Sequence, residues 1–185
     1  MIVLLYHRIL RNPTPETCFP EGVVSLGEFE RQIRVLSREF DLISLAEGLR
    51  ALHRRKRGRS RLVSITFDDG WRDAWVEGVP VLGKHRIPAA FFMTTGFLDE
   101  DLLPWWEKLR LLLGRRGAKA WIKKLRQKLS LVRSSGNDFW DLFQALKLQT
   151  RATRARILEA PFRAAGPNTT PKGGRIFMNW EETRS

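Results

Sequence analysis

The chain has 185 residues, of which 43% are hydrophobic and 10% aromatic, so it can bury a core and is not disordered as a whole. This length suits one domain with an insertion and falls short of the roughly 250 residues of a complete (β/α) barrel. The single cysteine, Cys18, excludes an internal disulfide and a cysteine-cluster zinc site. No apolar stretch is long enough to span a bilayer and no leader is recognisable, so the sequence as written predicts a cytoplasmic protein.

The net charge of +13 is concentrated in one stretch of the chain. Residues 105–175 contain 17 Lys and Arg against four Asp and Glu, whereas the rest of the chain has 16 of each. This change in composition predicts a basic module inserted into an electrically neutral host.

Predicted strands and helices alternate over the first hundred residues. Short apolar runs predict strands over residues 2–6, 41–44, 62–67 and 89–93. Two capping boxes, Ser25 with Glu28 and Ser44 with Glu47, predict the starts of two helices, and a third helical segment follows Gly70. This alternation favours a parallel sheet with helices packed outside it.

The pattern changes at residue 105, where apolar residues recur at helical spacing in four successive segments up to residue 158. A linker rich in Pro, Gly and Thr covers residues 166–174. Strand character then returns over residues 175–178, and a helix is predicted from Asn179.

Two adjacent aspartates, Asp68 and Asp69, end the strand at 62–67 and precede Gly70. Neighbouring carboxylates at the end of a buried strand repel each other unless a cation or a proton relieves them. Because adjacent side chains point different ways, one can bind a metal while the other takes a proton from water. On the triplet alone, a helix-capping turn with solvated carboxylates stays an open alternative.

The wider context of these aspartates resembles a known family. The segments Thr-Phe-Asp-Asp-Gly-Trp at 66–71, Val-Pro-Val-Leu at 79–82 and Ile-Pro-Ala-Ala-Phe-Phe-Met-Thr at 87–94 resemble the opening of the polysaccharide deacetylase family. This is the NodB homology domain, carbohydrate esterase family four. Residues 5–9, Trp105-Trp106-Glu107 and residues 178–182 are similar to further parts of that family.

The resemblance implies a fold and a domain organisation. The implied fold is α/β, an incomplete (β/α) barrel of the glycoside hydrolase and deacetylase type with an inserted basic helical segment. Residues 1–61 form the β-α-β-α lead-in, residues 62–185 a truncated NodB homology domain, and residues 105–174 the helical insertion within it.

The resemblance also implies metal-dependent hydrolysis of N-acetyl or O-acetyl groups on polysaccharide sugars. Asp68 matches the general base of the family and Asp69 matches a metal ligand. The implied cofactor is a divalent metal, zinc, in the complete protein, and the implied partner is an N-acetylated polysaccharide. No residues match the histidine ligands or the later motifs, so the 185-residue chain is expected to be inactive alone.

Three histidines are present, and none has the spacing of a ligand pair. His7 ends the first strand near the expected rim, where it either lines the cleft with Gly70 and Trp71 or has a packing or capping role. His53 and His85 lie among basic residues and are expected to be solvated.

The basic segment supports an alternative function of a different class. Residues 105–175 interleave cations with aromatic residues, and a non-catalytic chain with this surface can bind an anionic membrane or an acidic polymer. The simpler interpretation is that the aromatic residues pack the helices together and the cations form a solvated face. Nucleic acid is not an expected partner because no known binding motif occurs.

Overall fold

The computed structural model describes residues 1–14, 22–53, 61–99, 103–131, 136–164, 166 and 175–184. The chain divides into two compact units. We call Met1–Asp101 with Arg175–Ser185 the sheet unit and Leu102–Gly174 the helical unit. In the described part of the chain, no helix is long and apolar enough to cross a membrane. The family-derived domain boundaries given above stay predictions.

A parallel sheet organises the sheet unit around its central strand, β5 (Leu62–Asp69). Strand β1 (Ile2–Tyr6) pairs with one side of β5, while β4 (Asp41–Leu42) and β6 (Ala89–Met93) pair with its other side. Strands β2 (Arg8–Leu10) and β3 (Val23–Ser25) form a separate parallel pair. The described strands do not close into a barrel. The predicted α/β class with an unclosed parallel sheet is therefore confirmed.

Three α-helices and a π-helical turn accompany this sheet. Their bounds are α1 (Leu26–Glu39), α2 (Leu45–His53), the π-helical turn Ala74–Gly78 and α3 (Val79–His85). Ser25 caps α1 by accepting the Glu28 N–H at 3.2 Å, and Ser44 and Glu47 bond each other reciprocally at the start of α2. The core of the unit is built on fully buried side chains of β2, α1 and β5, among them Ile9, Phe29, Ile33, Ile65 and Phe67.

Four helices form the helical unit, as the apolar spacing predicts. They are α4 (Trp105–Leu113), α5 (Ala118–Lys128), α6 (Asp138–Lys147) and α7 (Arg151–Ala164). Their apolar stripes meet in one core, and its buried members are Leu109, Leu112, Leu125, Leu142, Leu146, Ile157 and Leu158. Five aromatic residues of the segment pack against this core and hold the helices together: Trp105, Trp121, Phe139, Phe143 and Phe162.

The structure corrects several predicted elements. Strand β5 continues through both aspartates, because β6 supplies backbone partners as far as Asp69. The strand predicted at 41–44 has only two residues, and the pair β2 and β3 was not predicted. The strand predicted at 175–178 is a single antiparallel bridge between Phe177 and Trp71, and the helix predicted from Asn179 is a hydrogen-bonded turn.

Candidate active site

The candidate site lies at the carboxyl end of β5, where the strand terminates in Asp68 and Asp69. Asp68 pairs in register with Phe92 of β6, and Tyr6 at the end of β1 pairs with Phe67. Parallel strands bring their carboxyl ends to the same edge of a sheet, and ligand sites of α/β folds lie at that edge. Both aspartates therefore lie at this edge, as does His7, the residue that follows β1.

The backbone after Asp68 adopts an unusual conformation. Asp69 has a φ of +70° and Gly70 a φ of +79°, so two consecutive residues are left-handed. Aspartate is one of the few residues with a side chain that enters this region, and glycine enters it without steric cost. A Cβ on Gly70 would lie 2.8 Å from Cε of Met93, so a side chain here would require the end of Met93 to shift. Strained backbone of this kind is concentrated at functional sites.

Trp71 holds the carboxylate of Asp69. The indole Nε1 of Trp71 donates a hydrogen bond to Asp69 Oδ2 at 3.3 Å. Trp71 is 4% exposed, and its ring packs against Phe177 with 4.6 Å between centroids. The backbone N–H of Met178 donates to the Gly70 carbonyl at 2.9 Å. Residues 177–178 therefore fix both the turn and the tryptophan that orients Asp69.

The ion pair of Arg8 and Asp73 also supports Trp71. The guanidinium of Arg8 lies 4.3 Å from the centroid of the Trp71 ring and forms an ion pair with Asp73 at 2.7 Å. Burial raises the pKa of Asp73, and the charge and hydrogen bond of Arg8 offset part of this rise. Sequence reasoning missed this pair, because Arg8 and Asp73 are 65 residues apart and no local pattern connects them.

The structure places the other predicted site residues as follows. Asp68, Asp69 and His7 are half-buried, whereas Gly70 and Trp71 are buried. The remaining histidines of the chain, which close α2 and α3, are exposed.

The metal implied by the family was tested against these side chains. Over the described residues, no group of three or more His, Cys, Asp or Glu side chains is placed to hold a metal ion. Zinc sites normally use three or four protein ligands. Asp69 is suited to be one carboxylate ligand, but the described donor set does not fit a complete metal site.

Comparison with known proteins finds a sequence match for the part of the chain that contains Asp68 and Asp69. Residues 55–138 match the sequence profile of the polysaccharide deacetylase family. The poly-beta-1,6-N-acetyl-D-glucosamine N-deacetylase of Staphylococcus aureus is 36% identical over 81 residues, which are 42% of this chain and 27% of that protein. These matches show that part of the chain is similar in sequence to the polysaccharide deacetylases. The chain matches about a quarter of the length of these curated relatives (27%).

Solved structures show similar folds at low sequence identity. The deacetylase PplD of Streptococcus pyogenes, in complex with acetate, gives a TM-score of 0.48 at 17% identity, over 85% of this chain and 80% of that chain. IcaB from Ammonifex degensii gives a TM-score of 0.47 at 21% identity, over 86% of this chain and 79% of that chain. Both TM-scores are below 0.5, so these structures carry no argument about family or function.

Proposed function

We propose that this chain forms part of an enzyme that removes acetyl groups from a polysaccharide, and that Asp68 and Asp69 carry its chemistry. The observation that carries the proposal is the pair of half-buried carboxylates at the carboxyl end of β5, inside the segment that matches the deacetylases. The second of them, Asp69, has a positive φ. The relative from Staphylococcus aureus is named for N-deacetylation, so an N-acetylated sugar is the first substrate to test.

The two carboxylates are assigned different roles. Asp68 is the general base, which accepts a proton from the water that attacks the acetamido carbonyl carbon. Asp69 is assigned to the divalent metal on which the family generally depends, with zinc as the first ion to test. The hydrogen bond from Trp71 supports this division, because it fixes Asp69 and leaves Asp68 to move a proton.

The His, Cys, Asp and Glu side chains of the described residues also indicate whether the 185 residues are active alone. Because Asp69 has no companion ligands among the described residues, we propose that these 185 residues alone do not turn over substrate. Incubation with Zn²⁺ and an N-acetylglucosamine oligomer is expected to release no acetate. Metal-dependent acetate release from this chain would contradict the proposal.

Acetate release by the full-length protein tests the catalytic assignment. Asp68→Asn is expected to lower the rate at least about 100-fold, since general bases contribute about 10²–10⁴-fold. Asp41→Asn is the matched control, because Asp41 is an exposed aspartate at the start of β4, and it is expected to keep the wild-type rate. Equal rates for wild type and Asp68→Asn would exclude the general-base role.

A further inference from the structure

The helical unit uses all four of its acidic side chains in ion pairs. Glu107 pairs with Arg110 at 2.7 Å, and Arg126 pairs with Asp138 and Asp141 at 3.0 Å each. Lys108 pairs with Glu159, the fourth acid of residues 102–174. Three cations therefore engage every acid of the unit, and the excess positive charge falls on the other Lys and Arg side chains.

Part of this excess lies on the solvent-exposed half of α5. Its exposed cations, which we call the α5 basic face, are Lys119, Lys123, Lys124 and Lys128. None of the four forms an ion pair with an acidic side chain in the part of the chain that the structure describes. An open groove of about 720 Å³ runs along this helix. Its polar lining residues are Lys119, Lys123, Gln127, Ser130 and the ion pair of Arg126 with Asp138, and its apolar ones are Ile122 and Leu131.

The apolar side of α5 is already occupied within its own unit. Leu125 is 4% exposed and belongs to the core, while Trp121, Ile122 and Leu129 pack against that core. A helix that inserts into a membrane surface needs a free apolar face beside its cations. The α5 basic face also has no exposed aromatic side chain on which a nucleic acid base could stack. These contacts favour a hydrophilic polyanion as the occupant.

The deacetylation proposed for the sheet unit restricts which hydrophilic polyanion fits the α5 basic face. Removing an acetyl group from an amide nitrogen leaves an amine, which is protonated near neutral pH. A neutral polymer of N-acetylated sugars would become a polycation as it is deacetylated, and the basic unit in the same chain would repel it. A polymer that also carries carboxylate groups would keep its attraction to the lysines.

We propose that the α5 basic face binds an acidic polysaccharide, so that the substrate of this protein carries negative charges as well as acetylated amines. This inference rests on the proposed deacetylase function. Lys119 and Lys123, one helical turn apart on the groove, contact its carboxylates, and Gln127 and Ser130 supply neutral hydrogen-bonding groups to its hydroxyls.

Fluorescence anisotropy with a labelled polygalacturonate oligomer tests the inference, with dextran of equal length as the uncharged probe. The charge-reversed pair Lys119→Glu/Lys123→Glu is expected to weaken polygalacturonate binding at least about tenfold at low salt. The matched control is Arg34→Glu/Arg38→Glu on α1, which changes two exposed cations at the same spacing in the sheet unit. The control is expected to bind within about twofold of wild type.

The milder pair Lys119→Gln/Lys123→Gln removes half as much charge and is expected to lose less affinity. Circular dichroism verifies that all variants keep their helices. Equal weakening by the α1 and α5 pairs, or equal binding of dextran and polygalacturonate, would overturn the inference. Tighter binding of duplex DNA or anionic vesicles than of polygalacturonate, at equal charge, would also overturn it.

Acetate release separates this inference from the proposed function. If release depends on Asp68 while the α5 pair does not affect binding, the inference fails and the proposed function stands. If binding depends on the α5 pair while release is independent of Asp68, the proposed function fails, and with it the assignment of the bound polymer as substrate.

Discussion

The two units of this protein place charged side chains in opposite ways. In the sheet unit, Asp68 and Asp69 are half-buried at the end of a strand. Asp69 has a positive φ, and Trp71 fixes its carboxylate by a hydrogen bond. In the helical unit, Lys119 and Lys123 project into solvent from a regular helix. The first arrangement depends on the positions of individual atoms, whereas the second depends on the total charge and on salt.

This contrast predicts different responses to mutation. A small change of shape near Asp69 is expected to disturb the sheet unit, since neighbouring residues hold that carboxylate in place. The α5 surface is expected to tolerate changes of shape and to respond to changes of charge. Mutations in each unit test this contrast between sensitivity to shape and sensitivity to charge.

Leu142→Ala is expected to destabilise the helical unit by about 2–5 kcal/mol, because Leu142 is fully buried in its core. Amide hydrogen exchange is the measurement, and protection is expected to fall in α4 to α7 more than in β5. Leu148→Ala is the matched control, since Leu148 is 86% exposed and is expected to change stability by less than about 0.5 kcal/mol. Equal loss of protection in β5 would show that the two units do not respond separately.

Gly70→Ala is expected to lower the free energy of unfolding by about 1–2 kcal/mol or more. The reason is that the position is left-handed and an added Cβ would contact Met93. Gly83→Ala is the control in α3, where no atom lies within 4 Å of the added Cβ, and it is expected to stabilise by about 0.5–1 kcal/mol. Chemical denaturation of the two variants measures the difference. The same sign of change for both would contradict the special conformation of Gly70.

Glu28→Gln is expected to have the smallest effect on stability, and it tests the exposed ion pair between Glu28 and Arg31. A hydrogen bond from Arg31 and a second from Gln32 lower the pKa of Glu28 from 4.5 to about 2. Because the folded-state pKa is lowered, the stability gained from this carboxylate is present above pH 4.5 and is lost as the pH falls towards 2. The difference in Tm between wild type and variant should shrink over this interval. A difference that stays constant with pH would contradict the ion pair.

The sequence predicts the helical unit better than the candidate site, for a physical reason. Apolar residues at helical spacing report directly which side of α4 to α7 is buried, so all four helices were predicted. The Asp-Asp-Gly triplet likewise located the end of β5. The close approach of Met93 to Gly70 and the packing of Trp71 against Phe177 are tertiary contacts, which no local sequence pattern predicts.

The carboxyl-terminal residues show a further limit of pattern reasoning. The apolar residues Phe177 and Met178 are buried, as a strand prediction requires. They are buried because they pack behind Trp71 and Gly70, and the backbone forms only one bridge and isolated hydrogen bonds there. Apolar character alone does not distinguish a strand from an irregular segment that covers a turn.

Acetate release at increasing Zn²⁺ concentration tests most directly the claim that two adjacent carboxylates have separate roles. The measurement compares Asp68→Asn and Asp69→Asn in the full-length protein. Asp69→Asn is expected to recover part of its rate as Zn²⁺ rises, because weakened metal binding is compensated by concentration. Asp68→Asn is expected to stay at least about 100-fold below wild type at every concentration, since added metal does not replace a base. Recovery of Asp68→Asn with metal, or a wild-type rate for it without added metal, would contradict the account.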